Sequence, residues 1–131
     1  MKEEKIIYKD LSYEIVGICF KAHKLLGRFC REKQYCDVVE DLLIKQNIIY
    51  EREKVLDIFL GETKLGGNRV DFLIEHKILF DAKAKPYITK EDYMQMQRYL
   101  VATNMKLGII VNFREPSLFP KRVINSQGKE F

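Results

Sequence analysis

The stretch NRVDFLIEHKILFDAKAK, residues 68–85, holds two short apolar runs that each carry one aspartate, Asp71 and Asp81, with Lys83 two places beyond the second. The runs read as strands over 69–74 and 78–83, with Glu75-His76-Lys77 at the tip of a hairpin. In that register Val70 faces Ala82, Phe72 faces Phe80 and Ile74 faces Ile78, so one face is wholly apolar. On the other face Leu73 meets Leu79, Asp71 stands opposite Asp81 and Arg69 opposite Lys83. A slip of one residue would mix the two sets, so the hydrophobic pattern selects the pairing. Cross-strand partners lie about 4.5–5.5 Å apart at Cβ, where like charges repel. A divalent cation between the two carboxylates turns that repulsion into a binding site, and oxygen donors suit Mg²⁺. The competing reading is a surface charge lattice of Asp71, Asp81, Arg69 and Lys83 facing water. Lys83 favours the first reading, because an ammonium beside such a site orients a water nucleophile and stabilises charge on a phosphate.

Outward from this hairpin the pattern changes. Residues 11–26 have apolar positions at Ile15, Ile18, Cys19, Ala22, Leu25 and Leu26, which is helical spacing, with Gly27 as the stop. A second helix is predicted over 31–46 on the stripe Tyr35, Val38, Val39, Leu42 and Leu43, giving a helical hairpin or one kinked helix. From Ile48 a strand pattern begins, Gly61-Glu62 reads as a turn before a strand at 62–66, and Gly66-Gly67-Asn68 as another turn. Thr89 with Asp92 forms a capping box that starts a helix running to about Ala102, with Met94, Met96 and Leu100 facing the core. LGIIVN, 107–112, has the continuous apolar character of a strand buried on both faces, and 122–125 is a last short strand. Helices, three or four antiparallel strands, a helix and a further strand make an α/β sandwich around a mixed sheet.

Composition sets the outer limits. The chain of 131 residues, 47% hydrophobic and 32% charged, is long enough for one domain with a core that needs no staples. It has no run of membrane-spanning length, and MKEEKIIYKD lacks the apolar segment of a signal peptide, so a cytoplasmic location is expected. Cys19, Cys30 and Cys36 have no metal-binding spacing and read as reduced thiols. His23 and His76 lack a second histidine at ligand spacing. The net charge of +4 is uneven: residues 77–131 carry ten basic against five acidic side chains. That excess suits a phosphate backbone.

Asp71 followed by Asp81-Ala82-Lys83 resembles the PD-(D/E)XK signature of restriction-endonuclease-like nucleases, with their α-β-β-β-α-β core. Glu32 on the upstream helix and Gln95 to Tyr99 on the later one resemble the RecB-type branch. LGRFCREKQY, KLGGNRVDFLIEHKILFDAKA, QRYLVAT and LGIIVNF are similar to the small stand-alone proteins of the GxxExxY family, from about Leu11 to Ile124. Phe29 stands where that family usually has glycine, and Asp81 where it usually has glutamate.

The resemblance implies one nuclease-like domain over 1–131, an α/β restriction-endonuclease-like fold, and a Mg²⁺- or Mn²⁺-dependent deoxyribonuclease. Asp71, Asp81, the Ala82 carbonyl and Glu32 would hold the metal, and Asp71, Asp81, Lys83 and Glu32 would carry the chemistry. Gln95 and Tyr99 would position substrate. Arg69 and Lys85 are candidate contacts to the backbone of DNA, with RNA, a protein partner and a homo-oligomer left open and no membrane involved. By residue chemistry alone, Glu32 reads as a solvated helix charge and Tyr35 as a core ring with a satisfied hydroxyl. A non-catalytic nucleic-acid- or partner-binding module on the same fold is the alternative function.

Overall fold

The structure, a computed structural model, describes residues 6–131. The signal-peptide reading therefore falls partly on residues 1–5, outside the described residues. Two helices come first, α1 (Lys9–Leu26) and α2 (Glu32–Lys45). They are separate: Gly27 takes φ +74, a left-handed backbone that ends α1. Strands β1 (Tyr50–Val55), β4 (Arg69–Ile74), β5 (Ile78–Lys83), β6 (Leu107–Asn112) and β7 (Lys121–Ile124) build one sheet in the order β1-β4-β5-β6-β7, while β2 (Ile58–Leu60) and β3 (Thr63–Leu65) make a separate two-stranded hairpin. Helix α3 (Lys90–Thr103) joins β5 to β6, the only parallel pair in that sheet.

The mixed sheet is covered on both faces. Phe72, Ile74, Ile78, Phe80, Leu107, Ile109 and Val111 pack with Ile15, Ile18, Tyr35, Val39 and Leu43 of α1 and α2. Leu73, Leu79 and Ile110 pack with Met96, Tyr99 and Leu100 of α3. β6 is buried at all six positions, as a parallel central strand between two helical layers must be. Gly108 lets α3 approach: a Cβ there would lie 2.5 Å from Met96 Sδ and 2.6 Å from its Cγ. The Thr89–Asp92 capping box starts α3 as expected, each residue's side chain accepting the other's backbone N–H.

Several positions differ from expectation. Leu25 and Met94 are exposed, at 67% and 50%, since each lies at the edge of its helix's apolar stripe. Val70 does not join Phe72 but packs on the α3 side with Leu73 and Leu79. The predicted pairings Asp71–Asp81, Val70–Ala82 and Arg69–Lys83 are not part of the ladder, because the β4–β5 pairing covers Ile74↔Ile78, Leu73↔Leu79 and Phe72↔Phe80 and ends there. The hairpin tip is as predicted, with Glu75 and His76 both left-handed.

Candidate active site

The ladder ends at Asp71. On its other flank, the pairing of β1 with β4 passes from Arg52↔Phe72 to Lys54↔Val70 and skips Glu53, whose φ is +52. The Asp71 N–H instead donates to Asp81 Oδ1 at 2.9 Å, and the Ala82 N–H donates to Asp71 Oδ2 at 2.8 Å. Each aspartate thus accepts from the opposite strand, and the two carboxyl groups are locked in the splay between β4 and β5. Asp71 Oδ1 and Asp81 Oδ2 stay outside these two bonds.

This placement is electrostatically costly. Asp81 is buried at 5% exposure and Asp71 half-buried. Burial, then the charge of Asp81, pushes the Asp71 carboxyl up to about 7, against the Ala82 N–H and the more distant Lys83. Burial raises Asp81 too, opposed by the Asp71 N–H and Lys83. Lys83, at the end of β5, is half-buried and makes no ion pair with a described residue, so its ammonium acts on the acids from outside contact range.

Glu32 opens α2. Protein packed about its carboxyl raises it, Lys83 lowers it, and Asp81 raises it again, which places Glu32 within the same field. Among the described residues no group of three or more His, Cys, Asp and Glu side chains has metal-binding geometry, so Glu32 is not gathered with the aspartates into one cluster. The paired carboxylates nonetheless fit a hard cation, whose charge would relieve the repulsion that raises Asp71.

The remaining predicted residues are spread around this centre. Tyr99 is buried at 3% exposure, its hydroxyl raised by burial and then by the charge of Asp81, while a hydrogen bond with the Arg69 backbone opposes. Gln95 is half-buried one turn earlier on α3, and Arg69 is exposed at the start of β4. Lys85 is engaged by Asp92, with Nζ 2.5 Å from Oδ2, a bond that holds Asp92 below its usual range despite burial. Tyr35 is fully buried, stacked on Phe113 at 4.3 Å, with its hydroxyl donating to the Gly27 carbonyl and accepting from the Cys30 N–H.

Two residues escaped the sequence reading. Asn112, 2% exposed, donates to the Lys85 carbonyl at 2.7 Å and accepts from the Lys85 and Arg114 N–H groups, fixing the chain just past Lys83. Its signal was a polar residue closing the apolar run LGIIVN. Asp92 was read as a cap alone, and nothing in the sequence joins it to Lys85.

No helix of the described residues is long and apolar enough to cross a membrane. Neither the curated proteins nor the solved structures yielded a match to the chain. The family model described as the PD-(D/E)XK nuclease superfamily matches residues 9–123, which takes in both aspartates, Lys83 and the whole of the large sheet except Ile124, the last residue of β7. With an α/β fold in which a five-stranded mixed sheet lies between helices, and with that match over most of its length, the chain belongs to the PD-(D/E)XK nuclease superfamily.

Proposed function

We propose that this chain is a Mg²⁺- or Mn²⁺-dependent deoxyribonuclease without sequence preference, a nuclease of the GxxExxY type that acts in DNA processing or repair. The reading rests on one observation: Asp71 and Asp81 cross-bonded in a gap of the sheet, with Lys83 two residues along. A divalent ion held by these carboxylates, with the Ala82 carbonyl and Glu32 as further oxygen donors, would supply charge neutralisation and Lewis-acid activation of the phosphodiester.

The chain's own groups do the rest. The Lys83 ammonium has no acidic partner within contact distance among the described residues, so its N–H groups are available to orient the attacking water and to balance charge developing on the phosphate oxygens. Tyr99, buried on α3 within the field of Asp81 and hydrogen-bonded to the Arg69 backbone, supports that wall of the site, and Gln95 and the exposed Arg69 meet the substrate backbone. Contacts of this kind are to the phosphate backbone, which carries no sequence information, so no sequence preference is expected.

The test incubates purified protein with linear, circular and single-stranded DNA plus Mg²⁺ or Mn²⁺, beside a Lys83→Ala control. Expected are products in the wild type and a loss of at least roughly 100-fold in the control. Products that persist in Lys83→Ala would remove that residue from the chemistry. No products under any condition would favour the binding-module alternative.

A further inference from the structure

The loop between α1 and α2 carries Phe29, a ring left 76% exposed. It is not a loose side chain on a loose loop. Arg28 lies over the ring at 4.8 Å and Arg114 at 5.8 Å from its centroid. The two arginines also hold each other's backbone: Arg28 Nε donates to the Arg114 carbonyl at 2.8 Å, and Arg114 Nε to the Arg28 carbonyl at 3.0 Å. From beneath, Tyr35 fixes the same loop through Gly27 and Cys30.

This ring is anchored beside the candidate active site. An Arg114 η-nitrogen donates to the Ala84 carbonyl at 3.3 Å, and the Phe113 N–H to the Lys83 carbonyl at 2.8 Å, so the segment that grips Phe29 is stitched to the end of β5. On the other side, Glu32 follows Phe29 by three residues and shares the field of Lys83 and Asp81. Neither Arg28 nor Arg114 makes an ion pair with a described acid, so both charges are left for a ligand. An exposed aromatic ring on a hydrogen-bonded loop, flanked by unneutralised guanidinium groups, matches the chemistry that binds unpaired bases: the ring stacks on a base of any sequence, and the cations meet the flanking phosphates.

We propose that Phe29, held by Arg28 and Arg114, is a stacking platform for an unpaired nucleobase next to the scissile phosphate, and that the substrate is therefore single-stranded nucleic acid or a frayed end. The position of the scissile phosphate rests on the nuclease reading above; the base-binding surface does not. A base paired within a duplex keeps its faces against its neighbours and cannot lie on the ring.

The test uses the full chain and a short single-stranded oligonucleotide carrying 2-aminopurine, whose fluorescence falls when the base stacks, against a blunt duplex of the same sequence. Binding is read by anisotropy in the Lys83→Ala background, and cleavage separately with Lys83 present. Expected are quenching on binding, roughly tenfold weaker single-strand binding and lost quenching in Phe29→Ala, retention in Phe29→Trp, and duplex binding unchanged by either substitution. Equal losses on both substrates, no loss in Phe29→Ala, or single-strand binding without quenching would each overturn the proposal. Lys83-dependent cleavage with no effect of Phe29→Ala sinks the platform and spares the nuclease reading. Phe29-dependent quenching without cleavage does the reverse.

Discussion

Asp71 has a double employment: its carboxylate takes the Ala82 N–H that a ladder carbonyl would otherwise accept, and it shares a confined gap with Asp81. Because its folded carboxyl titrates near 7 and an unfolded one near 3.8, the folded state holds a proton that the unfolded state has released throughout that interval. The contribution is therefore fully present below about pH 4 and is lost as pH rises toward 7. The melting temperature of the metal-free protein, followed by circular dichroism, should fall over this window by more in the wild type than in Asp71→Asn. A parallel pH profile in the two proteins would refute the coupling. Alternation alone put both acids on one face of the hairpin at neighbouring positions, where they do meet, through side-chain bonds to backbone rather than as a ladder pair. It did not show the splay, because the left-handed Glu53 that releases Asp71 has no signature among neighbouring polar residues.

Among the elements, helix α3 is the one whose seat depends on a single absent side chain. Gly108 lies in the fully buried β6, and a Cβ there would press into Met96, itself wholly buried. Gly108→Ala should cost about 1–3 kcal/mol of stability, read from the urea midpoint. Coupling to Met96 makes the prediction sharp: Gly108→Ala should cost less in a Met96→Val background, and equal costs in both backgrounds would dismiss the contact as its cause. Helix limits, the capping box of α3 and the buried strand 107–112 were legible because each rests on local periodicity or a local cap. The small β2–β3 hairpin was only half visible: Gly61 marked its turn, but the split of 48–60 into two strands of different sheets is set by tertiary packing.

At the scale of the molecule, the cation-binding reading makes a thermodynamic statement. A ligand that binds only the folded state stabilises it by RT ln(1 + [L]/Kd), about 2.7 kcal/mol at one hundred times Kd. Mn²⁺ should therefore raise the melting temperature of the wild type and leave Asp71→Asn unmoved; an equal rise in both would place the ion elsewhere. The fold class was readable because the order of elements restricts the topology. The Arg114–Ala84 and Lys85–Asp92 contacts were not, since they join residues 30 and 7 positions apart through turns that no pattern specifies.

The exchange of bonds across the β4–β5 gap also bears on how a complex could be captured. Truncating either aspartate to alanine would remove an acceptor that staples two strands, so a silent alanine variant would confound lost chemistry with a loosened sheet. Among the described residues, the Lys83 side chain holds no hydrogen bond or ion pair. It is the position to alter when a stalled assembly with intact nucleic acid is wanted for crystallisation.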